Sequence, residues 1–189
     1  KGFCDRQKKR QGSMKEEKRQ PEEMRDFFDQ RSDSYDEHMR ENVVSFGAFY
    51  RAVANPIPRT DLPLQILDLG CGTGLEMEWI FDRVPRAQIT GIDLSPNMLA
   101  ECREKFADRM DQLTLIQASY LDHPLGVNQY DYALSVMTLH HLLPEKKLEI
   151  YRKVFRALVD GGVYIEGDYI VSEQESQALV KAYLQNRSS

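Results

Sequence analysis

Residues 68–74 read Asp-Leu-Gly-Cys-Gly-Thr-Gly, after the apolar pair Ile66-Leu67 and before a stretch with helical spacing. Glycine has no Cβ, so Gly70, Gly72 and Gly74 permit positive φ and let a ligand approach the backbone. A helix behind them offers unpaired N–H groups and a partial positive charge. No Lys-Ser/Thr follows, so a P-loop is excluded, and Leu75 stands where a GxGxxG dinucleotide fingerprint needs its third glycine. Asp68 would repel a pyrophosphate but suits an ammonium group; the competing reading is a tight turn with a helix-facing acid. Asp93 lies 19 residues after Gly74, near the spacing of an acid that accepts from ribose hydroxyls. Ser95-Pro96 makes a good helix start, so capping is its other role. Leu94 and Met98 stand where they could flank an adenine ring, and Met98 equally suits a core.

Other candidates lie further along. "ALSVMTLHHL" (133–142) holds His140 and His141, the best general-base candidates because imidazole titrates near neutral pH. A packing or helix-entry role competes with that reading. Metal ligation by His123, His140 and His141 is weaker, since adjacent histidines point apart unless a loop reorients them. "IQASYLDHP" (116–124) places Ser119, Tyr120 and Asp122 after another apolar run, and "FFDQRSDSYDEHM" (27–39) carries Tyr35.

These residues need a frame. Short strand-type runs occur at 65–70, 87–94, 113–120, 130–137 and 161–171. Helical stretches at 75–84, 96–110 and 144–159 separate most of them, the last with a stripe of Leu148, Tyr151, Val154, Phe155 and Leu158. That alternation implies crossover units: a doubly wound, mainly parallel α/β sheet with helices on both faces. Ligands in such sheets bind at the carboxyl ends of the strands where strand order reverses. Upstream, 21–54 reads as helix with an interruption at Ser32–Ser34, and the proline-rich "NPIPRTDLP" is a linker.

The chain has 189 residues, 41% of them hydrophobic and 29% charged, enough for one domain. No apolar run spans a bilayer and no secretory segment is present, so no membrane partner is expected. Three dispersed cysteines (Cys4, Cys71, Cys102) fit a reducing, cytoplasmic setting rather than a disulfide framework. Residues 1–20 hold eight Lys/Arg against three acids, while the whole chain is −5. The acidic body makes nucleic acid an unfavoured ligand, and the basic arm reads as a solvated, disordered tail. "QGSM" at 11–14 resembles a cloning junction, which would place the natural start at Met14.

Taken together, "ILDLGCGTGLEM", "GIDLSPNML", "YDYALSVMTLHHL" and "LVDGGVYIEGD", in this order and spacing, resemble the class I S-adenosylmethionine-dependent methyltransferases of small-molecule type. The likeness covers roughly residues 24–171. It implies a Rossmann-like sheet of seven strands, the last two forming an antiparallel hairpin, and S-adenosylmethionine as cofactor with S-adenosylhomocysteine as product. By position, Asp68 and the loop of Gly70, Cys71, Gly72 and Gly74 would hold the methionine part. Asp93 would hold the ribose, with Leu94 and Met98 beside the adenine. Ser119 stands where the family often has an acid for the adenine amino group, with Tyr120 after it. Ser135 and Val136 would lie below the methionine part, and Tyr35 would cover the site or simply pack.

The resemblance divides the chain into a basic arm (1–20), a helical lid segment (21–62) and the cofactor-binding α/β domain (63–189). That domain is expected to lack the last two strands: the family's hairpin would need about 40–60 residues more. A fragment that continues past Ser189 is expected ahead of a sheet closed by a second copy in a homodimer. The expected activity is methyl transfer to a small-molecule acceptor by in-line displacement. The alternatives are a non-catalytic or regulatory adenosyl-binding domain and, disfavoured by Leu75 and Asp68, an NAD-dependent oxidoreductase.

Overall fold

The computed structural model describes residue 29, residues 32–43 and residues 45–168. The basic arm and everything from residue 169 onward lie outside the described residues. Two helices come first, α1 (Ser32–Asn42) and α2 (Phe46–Ala54). Then follow β1 (Gln65–Leu69), α3 (Leu75–Arg83), β2 (Gln88–Asp93), α4 (Pro96–Lys105), β3 (Leu113–Gln117), β4 (Tyr130–Val136), α5 (Pro144–Ala157) and β5 (Leu158–Gly167). Short 3₁₀ turns occupy Ala107–Arg109 and Leu139–His141.

All four strand pairings are parallel, and the order is β3-β2-β1-β4-β5. Strand order therefore reverses between β1 and β4, and the carboxyl ends of these two strands flank the crevice. β1 is buried on both faces, as a central parallel strand must be. Its alternation sends Ile66 and Asp68 toward one layer and Leu67 and Leu69 toward the other. The first layer holds Met39 of α1 and Val43 just after it, Tyr50 and Val53 of α2, Ile80 of α3 and Leu99 of α4. The second is built on Ile150, Val154 and Ala157 of α5 with Leu125 and Leu139 from loops. Helices thus cover both faces, as the alternation of strand and helix required.

Three local expectations are corrected. Ser32–Ser34 lie within α1, which runs to Asn42, and Ser45, before α2, adopts a left-handed φ of 57°. The buried stripe of α5 is Ile150, Val154 and Ala157; Leu148, Tyr151 and Phe155 are exposed, Phe155 by 81%. The last strand starts at Leu158, three residues before the expected glycines, because Leu158 pairs with Tyr130 ahead of a register shift. Gly161, at φ 81°, takes the bend inside the strand rather than before it. Among the described residues β5 is a sheet edge. Beside it lies a cavity of about 400 Å³ lined by Tyr151, Val154, Phe155, Leu158, Tyr164 and Glu166.

Candidate active site at the carboxyl ends of β1 and β4

The glycine turn after β1 is held by backbone before any ligand enters. Gly70 N and Cys71 N both donate to Ile92 O at the end of β2, at 2.7 and 3.3 Å. Gly70, Gly72 and Gly74 all have positive φ (71°, 50° and 75°). Their surroundings differ. A Cβ on Gly74 would strike Phe106, Cys102 and Met77, so that glycine lets α3 pack on α4. Among the described residues a Cβ on Gly72 would meet nothing within 4 Å, which leaves its backbone open to a ligand. Cys71 points into the protein against Gly91 of β2, and burial pushes its thiol up. It contributes packing and its backbone.

Asp68 is fully buried; among the described residues its carboxylate oxygens meet no N–H or hydroxyl donor, and their polar neighbour is the Glu76 carboxyl. Burial pushes its carboxyl up to about 6; a hydrogen bond with the Glu76 carboxyl opposes the rise and the Asp93 charge adds to it. Glu76, in the first turn of α3, is 5% exposed and stands beside it; burial and then the Asp68 charge push Glu76 well above the usual range. Two carboxyls this deep are costly to ionise together unless a cation joins them. The pair fits an ammonium-bearing ligand and would repel a pyrophosphate. Glu76 had no signal in the sequence beyond its place in a helix's first turn.

Asp93 ends β2 and uses both carboxylate oxygens. Oδ2 accepts from Gly72 N at 2.9 Å and Oδ1 from Ser95 N at 2.8 Å. The acid therefore links the glycine turn to the start of α4, where Ser95 Oγ caps Met98 N at 3.0 Å. Burial raises the Asp93 carboxyl, and these backbone N–H groups oppose the rise. A carboxylate has about four lone-pair sites, so two bonds to the protein leave capacity for diol hydroxyls. Met98 is buried and Leu94 partly so.

The loop after β3 folds on itself: Leu121 N donates to Ser119 Oγ at 3.2 Å, and Asp122 N and His123 N both donate to Ser119 O. Lys153 of α5 clasps it, its Nζ donating to the carbonyls of Tyr120, Leu121 and His123 at 2.8 Å each. Burial lowers the Lys153 ammonium. Tyr120 Oη lies 3.1 Å from Thr138 Oγ1 in the β4–α5 connection. At the end of β4, Val136 is buried in the first layer and Ser135 Oγ lies 2.5 Å from Tyr164 Oη of β5.

Two acidic residues tie the N-terminal segment to this crevice. Asp36 of α1 accepts from Thr73 Oγ1 at 2.5 Å and pairs with Lys105 of α4. Asp29 accepts from Ser95 Oγ and, through its carbonyl, from Asn97 Nδ2 at 3.2 Å. Tyr35, next to Asp36, is partly buried against the first layer. Beyond β4, Met137 takes a left-handed φ of 51° while its N–H donates to Gly167 O at 2.7 Å, binding the ends of β4 and β5 together. His140 follows in the 3₁₀ turn; its main-chain N–H and its Nδ1 both reach the carboxylate of Asp168, at 2.9 and 2.7 Å. Sequence reasoning singled out His140 and missed Asp168, 28 residues away.

Comparison with known proteins agrees with this frame. The family described as "Methyltransferase domain" matches residues 66–162, just over half of the chain. An uncharacterized methyltransferase of Geobacillus sp. is 26% identical over 155 residues, covering 82% of this chain and 68% of that protein. Erythromycin 3''-O-methyltransferase of Saccharopolyspora erythraea is 31% identical over 109 residues, covering 56% and 35%. The solved S-adenosylmethionine-dependent methyltransferase of Mesorhizobium loti superposes with a TM-score of 0.54 at 29% identity, covering 67% of this chain and 54% of that one. The chain thus spans between about a third and two thirds of the relatives it matches. The glycine turn, the acids at 68 and 93 and the family match agree: this chain belongs to the class I S-adenosylmethionine-dependent methyltransferases.

Proposed function

We propose that this chain transfers a methyl group from S-adenosylmethionine to a small-molecule acceptor. The carrying observation is the fully buried Asp68 carboxylate, which meets no N–H or hydroxyl donor among the described residues, close to the open backbone of Gly72. When bound, the cofactor supplies a methyl sulfonium, already a strong electrophile. The protein's work is therefore alignment and exclusion of water. Asp68, with Glu76 behind it, attracts the ammonium of the amino-acid part, while the turn from Gly70 through Cys71 and Gly72 to Gly74 receives it. Asp93 accepts from the ribose hydroxyls, Leu94 and Met98 border the adenine, and Ser119 and Tyr120 shape the rim. Ser135 and Val136 form the floor. α1 and α2, with Tyr35, act as the cover, fastened through Asp36 to Thr73.

Two features favour a small acceptor. The protein is acidic overall, which disfavours a phosphate backbone, and one relative is named for O-methylation of a small molecule. Calorimetry with S-adenosylhomocysteine, S-adenosylmethionine and NAD tests the cofactor. Both sulfur ligands should bind and NAD should not; tighter binding of NAD would sink the assignment. A metabolite library scored by mass spectrometry for methyl gain then tests turnover against the non-catalytic alternative, which expects cofactor binding with no methylated product.

A further inference from the structure

We propose that a pocket walled by Arg51, Arg59, Arg83 and Trp79, at the far end of α3 from the glycine turn, binds a small phosphorylated compound through its phosphoryl group. The inference stands apart from the methyl-transfer reading. α3 begins at Leu75, against the turn, and its last residue, Arg83, lies about 12 Å further along the helix axis.

Three segments of chain build the pocket, which has a volume of about 170 Å³. Arg51 comes from α2 and Asn55 from just after it, Arg59 from the linker, and Trp79, Asp82 and Arg83 from α3. Three guanidinium groups thus meet one carboxylate, in a chain whose formal net charge is −5. The protein itself fixes two of them. Arg59 donates to Asp82 O at 2.9 Å and to Asp82 Oδ2 at 2.7 Å. Arg83 donates to Ile57 O at 2.6 Å, to Asn55 O at 3.1 Å and to Asn55 Oδ1 at 3.3 Å. These bonds set the Asp82 charge against Arg59 and hold both forks still, each with N–H groups to spare.

The remaining donors have no acceptor. Arg51 stacks over the Trp79 ring, 5.4 Å from its centroid, and makes no hydrogen bond among the described residues. Trp79 Nε1 is buried and likewise without a hydrogen-bond partner among the described residues. The ring is seated against α2, where a Cβ on Gly47 would lie 3.8 Å from it. An indole N–H shut away from water without an acceptor is costly, and an anion oxygen bound there recovers that loss. Arg51 is exposed, so it can turn toward an anion without breaking a hydrogen bond, and in turning it uncovers the ring.

The donor arrangement selects the ligand. A planar carboxylate offers its lone pairs in one plane and suits a single guanidinium fork. A tetrahedral phosphoryl group offers oxygens in several directions, which donors arriving from α2, the linker and α3 require. The volume is below the roughly 300 Å³ of pockets for drug-sized ligands, so the phosphoryl carries only a small substituent. Once bound, it bridges α2 and the linker to α3.

Trp79 is the single tryptophan of the chain, so its indole N–H resonance and its fluorescence report on this pocket alone. The test titrates the full chain with inorganic phosphate and with glycerol phosphate, against sodium chloride and glycerol at matched ionic strength. Both phosphates should shift the indole resonance saturably by about 10 mM, and hydrogen exchange in residues 46–60 should slow. Arg51→Ala should weaken binding by about 10-fold or more, and Arg51→Lys, which keeps the charge without the fork, by less. Trp79→Phe keeps a ring for Arg51 but loses the donor; calorimetry should find glycerol phosphate bound about threefold or more weakly. The dissociation constant of S-adenosylhomocysteine should change by less than about twofold in Arg51→Ala, which separates this pocket from the cofactor crevice. No saturable shift, or one that survives Arg51→Ala unchanged, would overturn the proposal. An equal shift with chloride would mean an adventitious ion only, and would overturn it too. So would binding of a short single-stranded oligonucleotide with none of glycerol phosphate.

Discussion

Thr138 occupies the space that a side chain on Gly70 would need: a Cβ built on Gly70 would lie 2.9 Å from the Thr138 Cβ. The first glycine of the turn is therefore required by the protein itself, because the β4–α5 connection is pressed against the β1 turn. The second glycine, Gly72, meets no other described residue where a Cβ would stand.

That difference predicts two separable outcomes. Gly70→Ala combines a positive φ with a clash and should destabilise the fold by about 2 kcal/mol or more. Gly72→Ala bears the backbone strain alone, about 1–2 kcal/mol, yet places a methyl where the ligand approaches. Thermal denaturation with and without S-adenosylhomocysteine checks both. Ligand-induced stabilisation should vanish in Gly72→Ala, and a full shift there would contradict the open-backbone reading.

Asp93→Ala removes the acceptor for Gly72 N and Ser95 N as well as the proposed ribose contact. The expected loss in S-adenosylhomocysteine affinity is about 1–3 kcal/mol, measured by calorimetry. Capping by Ser95 Oγ survives, so α4 should persist by circular dichroism. An unaltered dissociation constant would limit Asp93 to a structural role.

For Asp68 the sign is opposite to that of an ordinary paired carboxylate. Its folded-state value, about 6, lies above the model-compound 3.8, so the folded state holds the proton more tightly. The ligand-free protein should therefore lose stability as pH rises from about 4 through 6, a loss that belongs to the Asp68–Glu76 pair together. Asp68→Asn should raise the melting temperature of the ligand-free protein above pH 6 and weaken cofactor binding. Wild-type affinity for S-adenosylhomocysteine should fall as pH drops through 6. A melting temperature indifferent to both pH and Asp68→Asn would show that the buried carboxyl is compensated.

Asp36 joins α1 to Thr73 of the glycine turn and to Lys105 of α4. Asp36→Ala strands both partners and should cost about 1–3 kcal/mol of local stability. Hydrogen exchange in 32–42 should accelerate while the β1 and β4 amides keep their protection. Equal protection in the unaltered protein and in Asp36→Ala would mean that the apolar contacts of Met39 and of Val43 just beyond it hold α1 down.

The cofactor class and the layered fold could be read from local pattern. Glycines two residues apart behind a strand, an acid two residues before them and another 19 residues after them are short-range relations, set by turn geometry and helix starts. Apolar runs of strand length between helical stripes sufficed for a parallel sheet, and the topology confirmed it. Pattern failed where neighbouring apolar positions compete. On α5 the stripe through Leu148, Tyr151 and Phe155 is as periodic as the one through Ile150, Val154 and Ala157, and only the position of the sheet decides which is buried.

The most consequential polar contacts were beyond local reading. Asp36 meets Thr73 across 37 residues, Lys105 meets Asp36 across 69, and Asp168 meets His140 across 28. Nothing in residue type or spacing marks these partners, because an acid on a helix or at a strand end is as well served by water as by a side chain. The parallel sheet narrows that choice: it brings the carboxyl ends of all five strands to one edge, where segments distant in sequence meet and partly shield their charges from water. The sequence alone determined which ligand the turn is built to receive; the tertiary structure decided which acids are buried behind that turn and which distant partners hold it in place, because only the packed sheet brings them together.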